Sequence, residues 1–117
     1  MTWDGIDKRK FPRIQYKCLI KVCRMPQGHV LSTYTENMGV GGICVVLGER
    51  LELFEKVELE LILRDGNLPI SCIGDVVWVV KKSAFDTTDL TYDTGIEFSK
   101  LGDGDLGRIR TIVDSMA

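Results

Sequence analysis

From Val57 to Arg64 apolar and polar positions alternate: Val57, Leu59, Leu61 and Leu63 take one parity, Glu58, Glu60, Ile62 and Arg64 the other. A period of two sends successive side chains to opposite faces, so the run predicts a half-buried strand with Glu58 and Glu60 turned to water. Asp65-Gly66-Asn67 then reads as a hairpin turn. The next run places Leu68, Ile70, Cys72, Val76, Trp78 and Val80 on one face, with Gly74 marking a bulge or bend. Upstream, Cys18, Ile20 and Val22 alternate with Lys17, Leu19 and Lys21, and the stretch MPQGHV turns the chain into a polar strand at Leu31 to Thr35. Glu36 to Gly42, ENMGVGG, is a glycine-rich break before a strand at Ile43 to Leu47. A last strand runs from about Tyr92 to Phe98, after the polar loop KKSAFDTTD.

The period changes at the C-terminus. Leu106, Ile109, Ile112, Val113 and Met116 fall on one face of a helix predicted over about 104–116, with Asp103 or Asp105 as its cap and Gly107 lowering its propensity. Six short strands without crossover helices predict an all-β, mainly antiparallel fold. Closing them into a six-stranded β-barrel with the C-terminal α-helix against its rim covers the sheet edges and suits a single domain of 117 residues.

Composition narrows the functional classes. The chain is 44% hydrophobic and 27% charged, which is soluble globular usage, and no apolar run approaches a membrane span. Its first residues, MTWDGIDKRK, are charged where a signal peptide needs an apolar stretch, so a cytoplasmic location is expected. Cys18, Cys23, Cys44 and Cys72 form no CxxC pair, and His29, the one histidine, sits at the turn beside Gly28. Reduced, mostly buried thiols and no metal site are expected. A net charge of −2 argues against a grip on duplex nucleic acid, and scattered aromatics, 8% of the chain, against a single-strand-binding barrel. No nucleophile motif or carboxylate pair stands out, so an enzyme is not expected.

Positive charge is nevertheless concentrated at one place: Lys8, Arg9, Lys10 and Arg13 lie within six residues. Phe11 precedes Pro12, which disfavours helix and leaves the segment extended or turning. Residues 1–13 therefore read as a mobile arm ahead of the domain at 14–117. Arginine suits phosphate and guanine alike, because its planar donors grip two oxygens or the O6 and N7 edge of the base. In the glycine-rich break, Gly39, Gly41 and Gly42 permit close backbone approach, and Asn37 accepts left-handed geometry or offers an amide to a base edge. Taken singly, the arm is also a solubilising tail and the break also a plain turn.

Together and in this order, ahead of six strands and a terminal helix, the two stretches resemble the PilZ domain family, small barrels that bind cyclic di-GMP. Its Arg-x-x-x-Arg motif is matched by Arg9 and Arg13, and its Asp/Asn-x-Ser-x-x-Gly motif at Asn37 and Gly42. GDVVW at Gly74 to Trp78 and TGIEF at Thr94 to Phe98 are similar to the family's later strands. The resemblance spans nearly the whole chain and implies a bacterial second-messenger receptor with cyclic di-GMP as ligand, no cofactor, and a downstream protein partner. By this resemblance Arg9 and Arg13 hold phosphates and the Hoogsteen edges of guanine, and Asn37, Gly39 and Gly42 line a base from below. Lys8 and Lys10 give electrostatic support, Trp78 is either an ordinary barrel side chain or a further stacking contact, and the arm closes over the ligand. Gly39 stands where the motif has serine, so one ligand hydroxyl contact is missing. The alternative is a divergent adaptor that binds nucleotide weakly or not at all.

Overall fold

The structure, a computed structural model, describes residues 13–25, 28–83 and 90–116. It contains the strands β1 (Arg13–Gln15), β2 (Leu19–Arg24), β3 (His29–Gly39), β4 (Gly42–Leu47), β5 (Lys56–Ile62), β6 (Ile70–Ser83) and β7 (Leu90–Lys100), and the helix α1 (Asp103–Met116). All pairings are antiparallel. The order β3-β2-β5-β6-β7-β4 returns to β3 through the β3–β4 ladder, so six strands close into the expected barrel. Closure pairs the backbone groups that an open sheet would leave at its edges. β1, which hydrophobic alternation did not reveal, lies on β3 beside the end of β2.

Alternation predicts the core of the central strands. Val57, Leu59, Leu61 and Leu63 face inward with Cys18, Ile20 and Val22. From α1, Ile109 and Val113 are fully buried in the same core and Ile112 packs against it, whereas Met116 is exposed at the helix end. Asp103 and Asp105 lie inside the first turn of α1, where their charge complements the helix dipole.

Two β-bulges break the alternation. Thr35 pairs with Val45 but Asn37 with Cys44, so Glu36 is an extra residue in β3. In β6, Val76 pairs with Ile96 but Trp78 with Gly95, leaving Val77 as the extra residue. Each bulge reverses the parity of the residues beyond it. Met38 therefore enters the core, while Trp78 and Val80, expected inside with Ile70, Cys72 and Val76, turn outward and are 38% and 52% exposed. Leu68, also expected inside, precedes β6 in the loop and is 81% exposed. A third register shift occurs beside Gly74, where a side chain would strike Ile96 Cγ2 at 2.5 Å. The shift falls where the sequence places a bulge or bend, and the close contact explains why no side chain is carried there.

The glycine-rich break is shorter than its composition suggests. Glu36 to Gly39 belong to β3, and only Val40 and Gly41 form the turn to β4. Asn37 is extended strand and not left-handed; among the described residues the left-handed glycines are Gly28 and Gly66, in the β2–β3 and β5–β6 turns. Between β1 and β2 the ladder is interrupted at Tyr16 to Cys18, and Thr35 fills the gap. Its buried hydroxyl donates to the Tyr16 carbonyl at 2.6 Å and accepts from the Cys18 amide at 3.0 Å.

Two ion clusters fasten the periphery. Arg24 donates through Nε and Nη2 to Glu55 at 2.7 and 2.9 Å and through Nη1 to Glu49 at 2.6 Å; His29 Nε2 lies 2.8 Å from the same Glu49. The Arg24 guanidinium holds both carboxyls below their ordinary range. At the β5–β6 turn, Arg108 of α1 grips Asp65 with two hydrogen bonds of 3.0 and 2.9 Å, lowering the Asp65 carboxyl to about 2. The four cysteines form no disulfide, and Cys18, Cys44 and Cys72 are buried. Burial raises the Cys18 thiol and pushes Cys72 up to about 11, which leaves both protonated and poor nucleophiles at neutral pH.

Candidate functional site

β1 brings the end of the basic segment onto the glycine-rich strand. Arg13 pairs with Gly39, Ile14 with Met38 and Gln15 with Asn37. Arg13 and Asn37 therefore share a face as diagonal neighbours, close enough for a long side chain to reach across. Arg13 Nε donates to Asn37 Oδ1 at 2.9 Å, and its Nη2 donates to the same oxygen. The guanidinium fork is half-buried and hydrogen-bonded to a neutral amide that orients it.

Beside this pair lies an open hollow of about 180 Å³ lined by Arg13, by Gly39, Gly41 and Gly42, and by Trp78, Gly95 and Glu97. Its floor is nearly bare backbone. Gly42 is where the β4 and β7 backbones approach closely: a Cβ there would stand 2.3 Å from the Ile96 carbonyl oxygen and 3.0 Å from Glu97 Cα. Gly41, in contrast, faces open space. The Trp78 indole covers Gly95, whose Cβ would fall 2.2 Å from Trp78 Nε1, so the absence of a side chain at 95 lets the ring lie flat on the strand. One wall of the hollow is thus an aromatic ring that stays 38% exposed to solvent.

The structure gathers Arg13, Gly39, Gly42 and Trp78 around one hollow, with Asn37 a step behind as the group that grips Arg13. Lys8, Arg9 and Lys10, with the remainder of the expected arm, lie outside the described residues. Arg13 itself, assigned by sequence to the end of that arm, is the first residue of β1. Glu97 and Gly95 were not singled out from the sequence. TGIEF contains both, but only the β7 pairing, Glu97 opposite Gly42 and Gly95 opposite Trp78, puts them in the hollow. Among the described residues no group of three or more His, Cys, Asp or Glu gathers to hold a metal, and no helix is long and apolar enough to cross a membrane.

A small closed barrel thus carries a strand-borne arginine beside a glycine-floored hollow. The PilZ domain profile matches residues 7–115, and the chain belongs to that family. Solved structures agree on the fold. The inhibitor of motility MotI/DgrA of Bacillus subtilis superposes with a TM-score of 0.75 at 20% identity, covering 92% of this chain and 50% of that one. The PilZ domain of YcgR from Escherichia coli, solved with c-di-GMP, gives 0.71 at 13% identity, covering 93% and 91%. The complex of K. pneumonia MrkH with c-di-GMP gives 0.76 at 17% identity, covering 92% and 52%. The chain thus spans about half the length of MotI/DgrA and MrkH and nearly all of the YcgR domain. No curated protein sequence matches the chain.

Proposed function

We propose that this domain is a receptor for cyclic di-GMP and works by binding, not by catalysis. The observation that carries the reading is the contact between the two motif halves: Arg13 of the basic segment is held by Asn37 of the glycine-rich strand at the rim of a hollow walled by Trp78. A cyclic dinucleotide offers phosphate oxygens, guanine O6 and N7 edges and flat ring faces. The hollow offers a guanidinium fork, a bare backbone floor and an indole face, which are their complements. The structural relatives solved with c-di-GMP, YcgR and MrkH, support the choice of ligand.

In this mechanism Asn37 keeps the Arg13 fork oriented, so that little side-chain freedom is lost when the fork meets the nucleotide. Arg9, with Lys8 and Lys10, then closes over the ligand from the other side. Fixing residues 1–12 against the barrel changes the surface shown to a partner protein, and that change is the signal.

Isothermal titration of the protein with cyclic di-GMP tests the reading. Heat of binding is expected, with a change in tryptophan emission, and Arg13→Ala and Arg9→Ala should each abolish both. Absence of heat at micromolar protein would overturn it. Hydrogen exchange of residues 1–12 with and without nucleotide tests the signalling step, which requires slower exchange in the complex.

A second reading, a protein-interaction adaptor with weak or no nucleotide binding, is favoured by one observation: Gly39, which lines the hollow, puts no hydroxyl there. Loss of one hydrogen bond to a polar ligand group weakens binding by about 1–3 kcal/mol. The adaptor reading expects Gly39→Ser to create or strengthen nucleotide binding, and a partner to be held equally with and without nucleotide.

A further inference from the structure

A carboxylate in a hollow meant for a dianionic nucleotide needs a reason. Glu97 lines the same hollow as Arg13 and Trp78, is exposed, and makes no ion pair among the described residues. Its cross-strand neighbour Asp75 differs in this respect, since Lys56 lies 2.9 Å from the Asp75 carboxylate. The Arg13 fork, for its part, is directed at the Asn37 amide. Glu97 is thus a negative charge that no described cation offsets. Near a phosphate it would only repel, and its favourable use is as an acceptor for neutral N–H donors.

The strand geometry supplies such a use. Glu97 and Gly95 lie on one face of β7, about 6.5–7 Å apart along the strand, and Gly95 carries the Trp78 ring. A base stacked on the open face of that indole turns one edge along β7 toward Glu97, within reach of its two-carbon side chain. Guanine offers two adjacent donors on its Watson–Crick edge, N1–H and the N2 amine, which match the two oxygens of one carboxylate. Adenine puts a lone pair at N1 and would meet the carboxylate with repulsion.

We infer that Glu97 is the base-selecting residue of the hollow, accepting from N1–H and the N2 amine of a guanine stacked on Trp78 while Arg13 takes the phosphate or the O6 and N7 edge. This inference rests on the receptor reading and adds to it a division of labour. Arg13 serves contacts that guanine shares with hypoxanthine, and Glu97 serves the N2 amine, which hypoxanthine lacks. Glu97 is on the outer face of the barrel and in no ion pair among the described residues, so replacing it leaves the core and the two ion clusters intact.

The test compares cyclic di-GMP with cyclic di-IMP on the full chain by titration calorimetry, for the wild type, Glu97→Gln, Glu97→Ala and Arg13→Ala. Folding of each variant is checked by thermal melting. The wild type should prefer cyclic di-GMP by roughly 10- to 100-fold, the range of one hydrogen bond to a charged acceptor. Glu97→Ala should bring that preference near unity, and Glu97→Gln, with one acceptor left, should fall between. Arg13→Ala should abolish measurable binding of both nucleotides. A Glu97→Ala protein that keeps the wild-type preference, or that binds cyclic di-GMP more tightly than the wild type does, overturns the role of Glu97 and leaves the receptor reading standing. A wild type that binds neither nucleotide overturns both.

Discussion

Gly41 and Gly42 are adjacent, yet the barrel treats them oppositely. A methyl group on Gly42 would enter the β7 backbone at Ile96, which has no rotamer to yield, whereas one on Gly41 would meet only solvent. Gly42→Ala should therefore cost about 1–3 kcal/mol, as overpacking against fixed atoms does, and Gly41→Ala should be close to neutral; urea denaturation of both distinguishes them. Gly95 is intermediate because its obstacle is the Trp78 ring, which can move. Gly95→Ala is expected to lift the indole off β7, shifting its emission and weakening nucleotide binding with little loss of stability. These contrasts separate glycines that the sequence alone presents as one class.

At the scale of elements, the loop between β4 and β5 carries an unusual backbone. Phe54 has a φ of 67°, although its side chain is 75% exposed and gains little from packing. Neighbouring contacts hold it there: its amide donates to the Val76 carbonyl at 2.7 Å, the Val76 amide donates to the Glu55 carbonyl, and Arg24 pins the Glu55 carboxylate. The left-handed region costs a bulky residue about 1–2 kcal/mol. Phe54→Asn, a residue that tolerates this region, should raise stability by up to about 1 kcal/mol, seen as a higher midpoint in urea. The opposite result would show that the exposed ring contributes more than its backbone strain removes. The two bulges act at the same scale, turning Asn37 and Trp78 outward while leaving core residues on either side in place.

For the whole molecule, the ion pairs set the acid limit of stability. Asp65 is held low by Arg108, and Glu49 and Glu55 by Arg24. A carboxyl depressed in the folded state contributes stability that is present above its unfolded value and lost as pH falls through its folded value. For Asp65 that window runs from 3.8 down to about 2. Because Asp65 and Arg108 remain partly open to solvent, Asp65→Asn should cost less than about 1 kcal/mol at neutral pH, and its stability should converge with the wild type near the bottom of the window. On the alkaline side the sign reverses. Cys72 is raised from 9.0 to about 11, so its contribution is complete below 9.0 and disappears as pH rises through about 11. Cys72→Ala should flatten that decline in pH-dependent melting, and no change in slope would remove the thiol as its cause.

The sequence by itself determined the barrel: strict alternation in β2 and β5, turn chemistry at Asp65 to Asn67 and the change of period at α1 are local patterns that survive folding. It also presented Arg13, Asn37 and Trp78 as candidates for ligand contact, since these are identities and not geometries. Only the tertiary structure decided how they face. One extra residue in β3 and one in β6 reverse side-chain parity, and alternation read along a single strand cannot register an insertion that is defined by the partner strand. For the same reason Glu97 was invisible as a site residue. Its place in the hollow comes from lying opposite Gly42 and two residues from the glycine under Trp78, relations that exist only once β4, β6 and β7 are paired.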